Sequence, residues 1–138
     1  MADRQFIELH KEHLEKTLSV LYPISDDMNE KEQAGTAAFV MNIYSGIENI
    51  LRYIMEEDMG EKTRKNGMWH KVLLAKAVDR GIISAELGDL LLGYLKFRHH
   101  HVHGYSYLFK WDEFKHLAVN AGNTVERFFA ELKERGYF

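Results

Sequence analysis

Between Phe97 and Tyr107 the chain reads FRHHHVHGYSY, which puts four of its eight histidines into five positions, after an arginine and before two tyrosines. Within it, Arg98, four residues, His103, one residue and Tyr105 form a spaced triplet. Arginine is a permanently charged fork that matches phosphate oxygens. Histidine is the side chain that exchanges protons near neutral pH. Together they suit phosphodiester chemistry. An imidazole with an unperturbed pKa of about 6.5 can take a proton from an attacking hydroxyl or return one to a leaving oxygen. The guanidinium would hold the scissile phosphate and stabilise the extra negative charge of the transition state.

On an unbroken helix His103 lies about 140° around from Arg98, whereas His101 shares its face. The pair therefore meets if the helix unwinds at His103-Gly104, or if two subunits contribute one group each. His99, His100 and His101 read first as ordinary surface or core histidines, with His99 and His101 in supporting positions beside the motif. A metal site competes, since His99 and His103 are four residues apart. No carboxylate lies in that turn, and the nearest acids, Asp112 and Glu113, follow a loop, so no metal is expected.

The elements that must carry these groups read as helices. Leu9, His13, Leu14, Leu18 and Leu21 recur at helical spacing before Pro23. Asn29 and Glu32 form a capping-box pair for a long second helix, striped by Phe39, Val40, Ile43, Ile47, Ile50, Leu51 and Ile54, with Gly60 as its stop. Its Ala37, Ala38 and Gly46 admit a close neighbour, and Tyr44 and Tyr53 read as core or interface aromatics. Trp69, Val72, Leu73, Lys76 and Ala77 mark a short third helix ending near Gly81, with Trp69 as a core anchor. Ser84 caps a fourth, facing the core with Leu87, Leu90, Leu91, Tyr94 and Leu95 and carrying Arg98 at its end. Asp112 caps a fifth, running through Phe114, Leu117, Ala118, Ala121, Val125, Phe128 and Leu132 to Gly136. Short connections imply an all-α antiparallel bundle of about five helices, in one domain over residues 1–138. The charged, Gly-containing stretch 58–68 reads as a mobile linker.

A net charge of −3 speaks against nucleic acid on its face, but residues 61–80 concentrate Lys62, Arg64, Lys65, Lys71, Lys76 and Arg80 against Glu61 and Asp79. A basic face on an acidic body accommodates a phosphate-bearing partner. The chain has no cysteine, which excludes disulfides and thiolate catalysis. No apolar run approaches the roughly 20 residues of a membrane span, and the N-terminus has no signal-peptide pattern. A cytoplasmic location is the expectation.

Across residues 35–130 the chain resembles the HEPN superfamily, and within it the HepT-like ribonuclease toxins. YSGIENILRYI, WHKVLLAKAV and IISAELGDLLLGYLKFRHHHVHGYSY carry the likeness, with a last helix after Lys110-Trp111-Asp112. The family motif maps onto Arg98, His99 as its polar residue, His103 and Tyr105. The extra histidines depart from it and leave His101 a rival for proton transfer. The resemblance implies a bundle that dimerises to bring two Arg/His pairs into one cleft. It implies a metal-independent endoribonuclease without cofactor, cutting RNA, tRNA or mRNA, through the 2′-hydroxyl. It also implies the toxin half of a type VII-like HEPN/MNT toxin–antitoxin pair. There an MNT-type nucleotidyltransferase antitoxin adds AMP to the motif tyrosine, Tyr105 here, with Tyr107 the neighbouring candidate. The alternative is a non-catalytic nucleotide- or RNA-binding partner that presents a substrate to a nucleotidyltransferase.

Overall fold

The longest element is set by its first and last residues. Asn29 Oδ1 accepts from the Glu32 amide at 2.9 Å while Glu32 Oε1 accepts from the Asn29 amide at 3.1 Å, so the expected capping box closes. At the other end Gly60 adopts a left-handed φ of 63°, and the amides of Gly60 and Glu61 both reach the Met55 carbonyl. Between them runs α2, Glu30–Met59, about 45 Å of helix at 1.5 Å per residue. In this computed structural model the described residues are 3–21, 23–61, 69–102 and 111–138, with the backbone alone at 101 and 102.

Around α2 pack α1 (Arg4–Ser19), α3 (Trp69–Asp79), α4 (Ala85–Val102), α5 (Trp111–Val119) and α6 (Ala121–Glu134); every one of them touches it. The described residues contain no strand, as the helical periodicity requires. None of their helices is long and apolar enough to cross a membrane. Asp3 caps α1 through Oδ1, and its amide donates to the Tyr53 hydroxyl at 2.7 Å, fastening the start of α1 to α2. The helix stops at Ser19, short of Pro23. There Thr17 and Ser19 hydroxyls bond the His13 and Lys16 carbonyls, local bonds that compete with the helical ladder.

Three departures from the sequence reading have physical causes. The expected fifth helix is two, α5 and α6, broken at Asn120. The Asn120 side chain donates to the His116 carbonyl at 2.8 Å, and the Tyr94 hydroxyl donates to the Leu117 carbonyl at 2.7 Å. The Tyr94 hydroxyl draws the Leu117 carbonyl out of the ladder, while the His116 carbonyl keeps its bond from the Asn120 amide at 3.0 Å beside the side-chain one. Asp112, expected as a cap, lies inside the first turn of α5, where its charge meets the positive end of the helix. Leu9, Val72 and Leu90 are 59%, 46% and 45% exposed, because the buried stripes run through Ile7–Leu14, Leu73–Ala77 and Leu87–Leu91–Tyr94 instead. The linker expected over 58–68 lies outside the described residues from 62 onward.

Two glycines let helices approach. A Cβ on Gly46 would meet Leu14 Cδ2 at 2.6 Å, and one on Gly88 would meet Val78 Cγ2 at 2.5 Å. The first contact seats α1 on α2, as expected for Gly46; the second seats α3 on α4. Tyr44 and Tyr94 stack 6.4 Å apart in the centre, flanked by Phe97–Phe114 and Trp111–Phe114 pairs.

The start of α4 is held from α6. Ser84 Oγ accepts from the Leu87 amide at 3.1 Å, as an N-cap should, and itself donates to Glu131 at 2.8 Å. The Ser84 amide donates to the same carboxylate at 2.6 Å, and Arg127 and Arg135 complete its shell. Burial pushes the Glu131 carboxyl up, but the two Ser84 donors, with Arg127 and Arg135, outweigh it and hold the group below the usual carboxylate range. This anchor sets where α4, and therefore Arg98, sits.

Candidate functional site

Arg98 lies one turn beyond Tyr94 on the inward side of α4 and is half-buried. Its Nη1 stands 3.2 Å from His70 Nε2, in the first turn of α3. The other ring nitrogen, His70 Nδ1, stands 2.9 and 3.0 Å from the two oxygens of Glu48 on α2. Three helices therefore contribute one residue each to a continuous polar chain, Glu48–His70–Arg98. Glu48 is only 3% exposed. A carboxylate at that depth is stable only with hydrogen-bond donors and a counter-charge, which His70 and Arg98 supply.

One turn before Glu48, the Tyr44 phenol is buried against the same carboxylate without closing a well-formed hydrogen bond. Burial and then the Glu48 charge push its ionisation far upward, while Arg98 opposes this weakly. Tyr44 therefore stays a neutral phenol. The Trp69 ring covers His70 at 3.9 Å between centroids, and the Arg52 guanidinium sits 5.5 Å over Trp69. Trp69 is thus a partly buried lid on the polar chain rather than a central core anchor. Among the described residues Arg98 Nε has no acceptor, so the guanidinium keeps a buried donor in reserve.

Of the motif residues, the structure describes Arg98, His99 and His100 with their side chains. His99 and His100 are exposed, with rings edge-on at 5.9 Å, and do not share the inward face with Arg98. The backbone at His101 is helical, continuing α4 to Val102, while its side chain, His103, Tyr105 and Tyr107 lie outside the described residues. Of the competing His99/His103 metal pair, His103 lies outside the described residues. The basic stretch is partly spent on itself: Lys76 and Arg80 pair with Glu61 at 3.3 and 2.6 Å, and Arg80 also with Asp79 at 2.7 Å. Lys71 remains exposed; Lys62, Arg64 and Lys65 lie outside the described residues.

Glu48 and His70 were not singled out from the sequence. The signal for Glu48 was present: it sits among Tyr44, Ile47 and Leu51 on the apolar stripe of α2, where an acid needs a partner. His70 carried no such signal, since its neighbour Trp69 dominates the local pattern.

The family model described as HepT-like protein matches residues 35–136. No curated protein matches. Among solved structures, the chain is similar to the cytosolic protein of unknown function YutE from Bacillus subtilis, with a TM-score of 0.75 and 17% identity. That match covers 97% of this chain and 90% of YutE. At that identity the likeness concerns the fold.

Proposed function

Because the chain belongs to the HepT-like protein family, we propose that it is the ribonuclease toxin of a HEPN/MNT pair. Its substrate would be RNA, with tRNA first among the candidates. The observation that carries this reading is the setting of Arg98. The first residue of the motif is a guanidinium held in place through His70 by a buried carboxylate, with a donor still unspent. A surface arginine of no function has no need of such support.

In this reading His103 accepts the proton of a ribose 2′-hydroxyl as its oxygen attacks the adjacent phosphorus. The P–O5′ bond breaks, and the 5′-oxygen leaves with a proton from a second imidazole. The products are a 2′,3′-cyclic phosphate and a 5′-hydroxyl, and the balance needs neither metal nor water in the first step. Arg98 holds the phosphate throughout and stabilises its pentacoordinate charge. The second imidazole is His103 of another copy in a homodimer, or His101. The nucleotidyltransferase antitoxin silences the site by transferring AMP from ATP to the Tyr105 hydroxyl: the tyrosyl oxygen bonds the α-phosphorus, the α–β anhydride bond breaks, and pyrophosphate and the phenolic proton leave. The phosphodiester so formed carries a negative charge that competes with RNA for Arg98.

The test is cleavage of total tRNA by the purified protein in EDTA. Activity should survive the chelator, fall on the order of 100-fold or more in Arg98→Ala and His103→Ala, and persist in His100→Ala. An inert wild-type protein that still binds RNA would favour the non-catalytic alternative. Light scattering should give a dimer, against 16.2 kDa for one chain. Co-expression with the nucleotidyltransferase should add AMP mass to the Tyr105 peptide, and Tyr105→Phe should remove it.

A further inference from the structure

We infer that Glu48 and His70 are the positioning residues of Arg98, and that they act through one tautomer of the His70 ring. The catalytic meaning of this rests on the ribonuclease reading above; the device itself rests on geometry alone. An ionised carboxylate only accepts hydrogen bonds, so His70 Nδ1, at 2.9 and 3.0 Å from both Glu48 oxygens, carries a proton. A guanidinium only donates, so His70 Nε2, at 3.2 Å from Arg98 Nη1, presents its lone pair. The neutral Nδ1–H imidazole satisfies both contacts. The other neutral tautomer fails at both, and the imidazolium sets N–H against N–H at Arg98.

The ring therefore converts an acceptor that Arg98 does not reach into one that it does. Glu48 orients His70, and His70 orients Arg98. The Trp69 ring, tilted by 34° against the imidazole at 3.9 Å between centroids, limits its rotation, and the Tyr44 phenol lies against the same carboxylate. Among the described residues, the bond to His70 is the one hydrogen bond that fixes the guanidinium. Losing it would leave Arg98 charged and in place on α4 but free to turn. A misplacement of about 1 Å in a group that grips the reacting phosphate is enough to cost two orders of magnitude in rate.

Two substitutions at His70 separate the roles. In His70→Asn the amide nitrogen reaches the Nδ1 position and still serves Glu48, but nothing reaches Arg98. In His70→Gln the carbonyl reaches the Nε2 position and serves Arg98 again. Both should fold; His70→Asn should melt close to wild type, whereas His70→Gln, which leaves the buried Glu48 without its His70 donor, should melt lower. With RNA as substrate, His70→Asn should lower kcat about 10- to 100-fold with KM changed less than about threefold, and His70→Gln should recover a substantial part. Nitrogen-15 NMR at pH 7.5 should show His70 as the Nδ1–H tautomer. The Arg98 Nη protons should be resolved in the wild type and averaged in His70→Asn. An Nε2–H or doubly protonated His70, or full activity in His70→Asn, would overturn the inference. If the wild type cuts no RNA, the ribonuclease reading falls, and the tautomer and Arg98 spectra still decide this one.

Discussion

Replacing Glu131 tests the contact that seats α4. Its carboxylate accepts from the Ser84 amide at 2.6 Å, the Ser84 hydroxyl at 2.8 Å, Arg127 Nε at 3.2 Å and Arg135 Nη1 at 3.0 Å. The two arginines lie four residues away on the same helix and are partly exposed, so solvent screening leaves them a minor contribution. The two Ser84 bonds are charge-assisted and shielded, worth about 1.5 kcal/mol each, the low end for ionic hydrogen bonds. Glu131→Ala should therefore cost about 3 kcal/mol, and a chain of this size should melt roughly 10 °C lower. Because the folded carboxyl is held below its usual range, its contribution is present above the unfolded Glu value of about 4.3. It is lost as pH falls through the lower folded value. The stability gap between wild type and Glu131→Ala should thus be full at pH 7 and close as the pH falls below the usual carboxylate range. Calorimetry or urea titration at a series of pH values reads both effects. A loss below about 0.5 kcal/mol at pH 7, or a gap undiminished at acid pH, would refute the reasoning.

Gly88→Ala should destabilise by about 1–3 kcal/mol despite the better helix propensity of alanine, since its Cβ would fall 2.5 Å from Val78 Cγ2. Adding Val78→Ala should cancel much of the clash in a double-mutant urea titration. Tyr44→Phe removes a buried hydroxyl with no well-formed bond, so denaturation should show stability unchanged within about 0.5 kcal/mol, or raised. Asn29→Ala opens the capping box of α2 and should lower the urea-derived stability by about 1 kcal/mol.

What could be read from the sequence was what lies within one or two helical turns. Asn29 and Glu32 are three residues apart, and the Ile47–Leu51–Ile54 stripe repeats at the helical period, so both the cap and the helix declare themselves locally. Arg98 declared itself by its spacing to His103 and Tyr105. The chain Glu48–His70–Arg98 did not, because 22 and 28 residues separate its members and only the packing of three helices joins them. The break at Asn120 was hidden for the same reason. The apolar period runs through it unbroken, and the Tyr94 hydroxyl that takes the Leu117 carbonyl comes from 23 residues away.

Because α2 touches every other described helix, no helix can lift away without stripping part of its surface, and among the described helices α1 is joined to α2 and α6 alone. Local opening should therefore spread inward from α1 and the α5–α6 elbow, leaving the middle of α2 for last. Amides from Val40 to Leu51 should exchange with deuterium at the rate of whole-molecule unfolding, far more slowly than those near Arg4 or Asn120. Glu48 sits inside that slowest segment. The backbone that carries the carboxylate on which the guanidinium leans should thus be the last to open, and its side chain stays covered for as long as α3, which brings His70, stays docked.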